Sequence, residues 1–528
     1  MKNNKKIFVY DTTLRDGAQG AGVSFSLKGK LDLARKMDEF GFDYIEGGYA
    51  GANQKEMEFF SKMKSVRLKH AKLAAFGSTR RVKTNVKKDS QVDYLIKAGT
   101  PVVTIYGKSW RLHVKDVLRT TDAENMAMIH DTVAYLKDKK KEVIFDAEHY
   151  FDGFKDDPDF ALMAVQSAVD AGADVIVLCD TNGGCLPHEV FDIVSKTKSS
   201  ILVPLGIHVH NDSGMAAANT IEAVRAGVIQ IQGTLNGLGE RCGNANLCTV
   251  IPNLELKMGR ICVGPKSLKR IMDLSEVAND YANLRDDDKA PYVGQNAFTH
   301  KAGTHIDAVN KNSKSFEHVD PTKVGNDRKL LVSEHSGGSS ILLKAIELGV
   351  GRDKSPDEIR EVLKSLKELE HKGYSFESAD ASFRMLIQKV LKQHKAFFDL
   401  EGFRVIIEKR SKDAPCISEA SIKVRVNNEI EQTVSEGDGP VNALDGALRK
   451  ALVRFYPEIA KVFLTDYRVR ILDPETATAA KTQVIIESSD GKNTWGTVGV
   501  SGNIIEASWE ALVDSVEYKL FKDEESND

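Results

Sequence analysis

The sequence predicts an α/β protein: a (β/α)8 TIM barrel, then a helical accessory region, then an α+β C-terminal domain. Three observations predict it. Eight short β-branched or aromatic runs alternate with amphipathic stretches over residues 1–260, polar residues collect at the C-terminal ends of those runs, and residues 401–520 carry a weak internal repeat. At 528 residues the chain is too long for one ordinary core, so two or three domains are expected.

The runs, in order, are KIFVYD (6–11), DYIEGG (43–48), LAAFGS (73–78), VVTIYG (102–107), EVIFDAEH (142–149), DVIVLCDT (174–181), GIHVHN (206–211) and IQIQGTLNG (229–237). Between them, LKGKLDLARKMDEF (27–40) and DFALMAVQSAVDAG (159–172) have helical spacing, the second ending on Gly172 as a C-cap. Eight strands alternating with eight helices in about 250 residues is the arithmetic of a closed barrel. An open doubly wound sheet is the alternative, but no GxGxxG follows the first run. Asp11, Glu46, Glu148, Asp180, Thr181, His208, His210 and Asn211 lie at or near strand C-terminal ends, the face on which barrel enzymes build their sites. Some of these are also turn formers.

Residues 261–400 are more charged and read as helices, with DDDK (286–289) as a solvated loop rather than a metal site. KDKKKE (137–142) likewise reads as an exposed helix end. In the repeat, SIKVRVNNEIEQTVSEG precedes GPVNALDGALRKAL, and KTQVIIESSDGKNTWGTVGV precedes SGNIIEASWEALVDSV. Each is a strand, a turn, a second strand, a glycine and an amphipathic helix, a pseudo-twofold module suited to dimerisation or effector binding. The tail KDEESND is expected to fray. The expected domains are therefore a catalytic barrel over 1–264, helical accessory subdomains over 265–400 and a regulatory domain over 401–528.

Composition narrows the partners. Hydrophobic residues are 41%, charged residues 28% and the formal net charge −3, a globular balance that draws neither nucleic acid nor an anionic membrane. Six cysteines (Cys179, Cys185, Cys242, Cys248, Cys262, Cys416) show no zinc-ribbon spacing and read as reduced thiols. The apolar stretch IFVY (7–10) is too short for a signal peptide, so a cytoplasmic protein is expected.

His208 and His210 are two apart within a strand and so face the same way. Asn211 and Asp212 follow them. Asp16 lies in the loop after the first strand and Asn244 in the loop after the eighth. In a closed barrel those ends adjoin the seventh, so Asp, His, His and an amide oxygen can reach one point. This set leaves positions open on Mg2+ or Mn2+, with Zn2+ the alternative, for the carboxylate and keto oxygens of a keto acid. Beside it, Arg15 can donate to the keto oxygen, Glu148 can orient a group or accept a proton, and Thr181 can bind the carboxylate.

DTTLRDGAQ (11–19), HVHNDSGMAAAN (208–219) and NGLGERCGNANL (236–247) resemble signatures of the 2-isopropylmalate, homocitrate and citramalate synthase family. YVGQNAFTHKAGTHIDAV (292–309) looks like that family's accessory segment, and 401–520 like its regulatory domain. Within the family, YIEGGYAGAN (44–53), FGSTRR (76–81), YGKSWRLHV (106–114) and CDTNGGCLPHE (179–189) resemble the citramalate synthase branch. The resemblance implies a metal-dependent acyltransferase condensing acetyl-CoA with pyruvate, a homodimer, and isoleucine as effector. It implies Asp16, His208, His210 and Asn244 at the metal, Arg15 and Thr181 on the keto acid, Glu148 in catalysis, and His305 in an accessory region that reaches a neighbouring subunit. Phe316 stands where relatives carry tyrosine, and Gly338 where a basic residue is common.

The keto acid is left open. Phe76, Tyr106 and Phe145 either restrict the pocket to pyruvate or belong to the core. Isopropylmalate or homocitrate synthesis, a related carbon–carbon lyase and a catalytically inert effector-binding protein are the rival readings.

Overall fold

A computed structural model of the chain describes residues 5–331, 338–350, 354–472 and 480–527. Its contacts divide it into two units, Met1–Phe298 with His318–Arg328, and Thr299–Glu317 with Lys329–Asp528.

The first unit is a closed parallel barrel of eight strands in sequential order. They are β1 (Phe8–Asp11), β2 (Tyr44–Tyr49), β3 (Lys72–Ser78), β4 (Val102–Lys108), β5 (Glu142–Glu148), β6 (Val175–Asp180), β7 (Leu205–Val209) and β8 (Gln230–Gly233). The ring closes where β1 pairs with β8, Phe8 opposite Gln230 and Asp11 opposite Gly233. All eight runs named from the sequence are these strands. The helices are α1 (Leu27–Phe40), α2 (Gln54–Met63), α3 (Ser90–Ala98), α4 (Asp122–Asp138), α5 (Tyr150–Asp156), α6 (Pro158–Asp170), α7 (Pro187–Ser200) and α8 (Ala216–Ala226). Their ends obey local chemistry: Ser26 caps α1 by accepting from the Gly29 N–H, and Gly172, at φ +93°, lets the chain leave α6.

Period-two alternation divides each strand between two cores. Val9, Ile45, Val103, Phe145, Ile176, Ile207 and Ile231 face the helices. Tyr10, Tyr44, Ala74, Val102, Ile144, Val177 and Cys179 fill the inside. Phe145 is therefore core and not pocket wall: its neighbours Ile144 and Asp146 hold the inward positions. Toward the C-terminal ends the inward rungs turn polar, with Glu46, Thr104, Asp146, His208 and Gln232 all buried. Buried polar rungs need partners, and they bond one another.

Under β2, Lys30 is buried and donates to both carboxylate oxygens of Glu56 at 2.8 Å. The pair sits against Gly48, where a Cβ would stand 1.6 Å from Glu56 Oε2.

The second unit holds helices Gly303–Lys311, Gly338–Glu347, Pro356–His371 and Asp380–Val390, then two similar halves. The stretch 332–337, just before Gly338, lies outside the described residues. Each half is three antiparallel strands and a helix: Asp399–Glu408, Ile417–Val426, Glu429–Gly437 with Pro440–Leu452, then Phe463–Ile471, Thr482–Ser489, Thr494–Ser501 with Ile504–Asn527. The repeat read from the sequence had two strands per half; Asp399–Glu408 and Phe463–Ile471 are additions. Asn427 and Asn428, at φ +48° and +68°, make the first hairpin turn. One core spans both halves, joining Ile422 and Val424 to Leu444, Leu448, Val484, Ile486 and Leu512. The last helix continues into the acidic tail as far as Asn527, and Glu525 pairs with Arg384.

All six cysteines are free. Among the described residues, no helix is long and apolar enough to cross a membrane.

Candidate active site

Three lone-pair donors meet at the C-terminal mouth of the barrel. His208, the fourth residue of β7, points inward, and His210, one residue past the strand, follows on the same face. Asp16 arrives from the loop after β1. His208 Nε2 stands 3.2 Å from Asp16 Oδ2, His210 Nε2 3.8 Å from the same oxygen, and the two imidazole nitrogens are 3.3 Å apart. All three residues are buried, and they are the one His/Cys/Asp/Glu group among the described residues with metal-holding geometry. Ligands about 2.1 Å from a shared cation stand roughly 3.0–3.4 Å apart, and the two shorter separations fall there.

Asn244 bears on the fit. Its backbone bridges to His210, and its Nδ2 donates to the Leu238 carbonyl at 3.1 Å. Its Oδ1 is buried with no hydrogen-bond partner. Two imidazole nitrogens and a carboxylate, with an orphaned amide oxygen on the residue bridged to His210, are a donor set suited to a divalent cation, so the residues fit one.

The electrostatics agree. Burial alone would raise the Asp16 pKa, but Arg15 and His208 hold it well below the usual carboxylate range. His210 is lowered to about 4 by burial and by its neighbour His208, which leaves it neutral with a free lone pair at pH 7. For His208 burial opposes the charge, and Asp16 overcomes it and raises the pKa.

Arg15 lies beside this centre. Its Nε donates to Glu46 Oε2 at 2.6 Å, its Nη1 is 3.4 Å from Asp16 Oδ2, and its guanidinium lies 3.7 Å over the Phe76 ring. Glu46 is held in turn by the hydroxyls of Tyr10 and Thr12. Phe76 stacks on Tyr106 and meets Tyr49 edge-on, forming an aromatic wall. Arg15, Asp16, Phe76, Tyr106, Asp146, Glu148, Thr181, His208 and His210 line one cavity of about 220 Å3. Thr181 Oγ1 accepts from the His149 N–H at 2.9 Å, which leaves its own proton to donate into the cavity. Glu148 reaches the cavity ion-paired with Lys108.

Several expected residues have other work. Asp11 accepts from the Thr13 backbone and hydroxyl, and Asp180 from the Gly184 and Cys185 N–H groups, so both build loops. Asn211 accepts from the Ala216 N–H, and Asp212 pairs with Arg241, so neither joins the histidines. His305 belongs to the second unit, on helix Gly303–Lys311, where its ring stacks on Phe316 with centroids 4.1 Å apart.

The sequence reading passed over Tyr49, Lys108, Asp146, Gln232 and Arg241 and gave Glu46 no task. Asp146 and Gln232 had a signal: each is polar at an inward strand position between apolar outward ones.

Comparison with known proteins adds the following. Residues 6–278 match the HMGL-like family model, 292–374 the homocitrate synthase post-HMGL domain-like model, and 377–520 the LeuA allosteric (dimerisation) domain model. The chain is 51% identical to the (R)-citramalate synthase of Aquifex aeolicus, covering 99% of each chain. It is 50% identical to that of Geobacter sulfurreducens, covering 98% of each. To the 2-isopropylmalate synthase of Methanocaldococcus jannaschii it is 32% identical, over 98% of this chain and 96% of that one.

Proposed function

Since this chain belongs to the citramalate synthase branch of the 2-isopropylmalate, homocitrate and citramalate synthase family, we propose that it condenses acetyl-CoA with pyruvate and water to (R)-citramalate and CoA, a step toward isoleucine. The observation that carries this reading is the convergence of Asp16, His208 and His210 beside Arg15 in one small cavity.

We assign Asp16, His208, His210 and Asn244 to a divalent cation, Mg2+ or Mn2+ ahead of Zn2+. When bound, such a cation polarises the oxygens of a keto acid as a Lewis acid. The remaining work falls to the protein. Glu148, His305 reaching in from a neighbouring copy, or a water that either positions takes a proton from the acetyl methyl group, and the carbanion so formed attacks the keto carbon of pyruvate. Negative charge then develops on the former keto oxygen, which Arg15, desolvated and braced by Glu46, meets with a preorganised donor. Thr181 donates to the pyruvate carboxylate. Water finally cleaves the thioester, leaving a free carboxylate and the CoA thiol, and this step drives the reaction forward. The aromatic wall of Tyr49, Phe76 and Tyr106 supports pyruvate, whose methyl group is the smallest side chain a 2-keto acid of this kind offers.

We further assign 1–264 to catalysis, 265–400 to accessory subdomains, and 401–528 to dimerisation and to binding isoleucine. The matched dimerisation-domain model and the paired halves support this.

The test is product identification by mass after incubation with acetyl-CoA and a panel of 2-keto acids, with thiol release as the rate. Citramalate from pyruvate is expected. A higher specificity constant for 2-ketoisovalerate would move the chain to the isopropylmalate branch.

A further inference from the structure

Behind His208 lies a chain of contacts the proposed reaction does not use. Gln232 and Asp146 are inward residues of β8 and β5, 86 positions apart in sequence and both buried. Gln232 Nε2 donates to Asp146 Oδ1 at 3.2 Å, and Gln232 Oε1 lies 3.0 Å from His208 Nδ1. The directions of these bonds are coupled. Gln232 Nε2 is the amide atom turned to Asp146, the direction that an ionised carboxyl, which can only accept, requires. The amide oxygen then faces His208, and because that oxygen can only accept, Nδ1 must carry the imidazole proton. Neutral imidazole has one N–H, so Nε2 is left with its lone pair, and Nε2 is the atom 3.2 Å from Asp16 and 3.3 Å from His210.

We propose that Gln232, oriented by Asp146, is a positioning residue that fixes the His208 tautomer and so presets the site for its cation. The inference rests on the assignment of His208 as a ligand. Without Asp146 the amide is free to turn over and offer N–H to Nδ1. That nitrogen would then accept, the proton would move to Nε2, and the ligand position would be blocked. A glutamate at 232 would not serve in its place, because two carboxylates would then lie buried side by side within hydrogen-bonding distance. An uncharged amide conveys the orientation of Asp146 without adding a second charge.

The experiment is calorimetric titration of Mn2+ into the metal-stripped full-length protein, with circular dichroism of each variant as the folding check. Gln232→Leu, near in size but without the acceptor, should weaken Mn2+ binding about ten- to a hundred-fold, the range for loss of an outer partner of a ligating histidine. Asp146→Asn keeps an acceptor oxygen for Gln232 Nε2 and should stay within about three-fold of the wild type, whereas Asp146→Leu should match Gln232→Leu. The double variant Gln232→Leu/Asp146→Leu should be no weaker than Gln232→Leu alone, since both substitutions cut one chain. A purely structural role predicts additive losses and no rescue by asparagine; that pattern, or unchanged Mn2+ affinity in folded Gln232→Leu, overturns the proposal. Wild type and Gln232→Leu that both fail to bind Mn2+ would instead overturn the metal assignment beneath it.

Discussion

Arg15 and Glu46 form an ion pair in the barrel mouth, with Nε 2.6 Å from Oε2, and Glu46 is fully buried. A guanidinium held on one edge by a carboxylate and on one face by Phe76 has little freedom left, so its remaining N–H groups are aimed before substrate arrives. Glu46→Gln keeps one acceptor oxygen and turns the other into an NH2 donor, so it can no longer accept from both Tyr10 and Thr12, and it removes the charge opposite Arg15. We expect kcat/KM for pyruvate to fall by an order of magnitude or more, consistent with misplacement of a catalytic group. Thermal unfolding should show a loss too, smaller than the ~3–5 kcal/mol of a wholly unpaired buried charge, because Asp16 still faces Arg15. Unchanged steady-state kinetics would show the brace to be idle.

Metal removal is the second test. Stripping the protein with a chelator should abolish turnover, and Mg2+ or Mn2+ should restore it. His208→Ala and Asp16→Ala should lose nearly all activity while retaining the wild-type circular dichroism spectrum, because each deletes a donor and leaves the barrel's packing in place. Full activity in excess chelator would refute the assignment.

Substrate choice should follow the aromatic wall. Tyr106→Ala opens the cavity next to Phe76 without touching Arg15, the histidines or Asp16. The ratio of specificity constants, pyruvate over 2-ketoisovalerate, should drop by about 10–200-fold, the range for a methylene-sized change in an apolar pocket. A constant ratio would place the selecting surface elsewhere.

The pair Lys30 and Glu56 allows a stability test away from the chemistry. Glu56→Gln leaves Lys30 charged and buried, and should cost about 3–5 kcal/mol in denaturant unfolding. The double change Lys30→Met/Glu56→Leu should recover most of that, since neither side chain then needs a partner. Gly48→Ala should cost less than the single change, since the new methyl meets only the end of the flexible Glu56 side chain. If Glu56→Gln unfolds at the wild-type denaturant midpoint, the pair is not an energetic unit.

Isoleucine should inhibit the full-length enzyme by an amount that corresponds to a coupling of about 1–3 kcal/mol. Calorimetry of isoleucine into the full chain should show saturable heat, and removal of the segment after about residue 400 should abolish the inhibition in whatever activity survives. Neither heat nor inhibition at saturating isoleucine would leave dimerisation as the domain's role.

What could be read in the sequence divides along physical lines. Strand periodicity is local, and so is the pairing of His208 with His210 on one face; both were legible. The approach of Asp16 to the histidines, and of the Asn244 backbone to His210, was legible because barrel closure is a rule of topology, bringing the first, seventh and eighth strand ends together. The strands Asp399–Glu408 and Phe463–Ile471 escaped because the repeat announces itself through the tight turns NN and SDG, and neither strand adjoins one. Their exposure on both faces also blurs alternation. The Gln232–Asp146 contact crosses the barrel interior between residues with no spacing relationship, so only the closed ring brings it into view. Phe145 was misleading in its chemistry and legible in its parity.

The pairing of β1 with β8 has a consequence for how the chain matures. Phe8 waits for Gln230, so more than two hundred residues must be synthesised before the first strand finds its second neighbour. At roughly 5–20 residues per second, β1 leaves the ribosome tens of seconds ahead of it. Asp16 belongs to the opening of the ring and His208, His210 and Asn244 to its end, so the proposed cation site comes together only when the ring closes. On the cation assignment proposed above, a chain that stops before Asn244 holds the early strands without the full donor set, and binding of the ion to the closed ring would add to the stability of the β1–β8 seam.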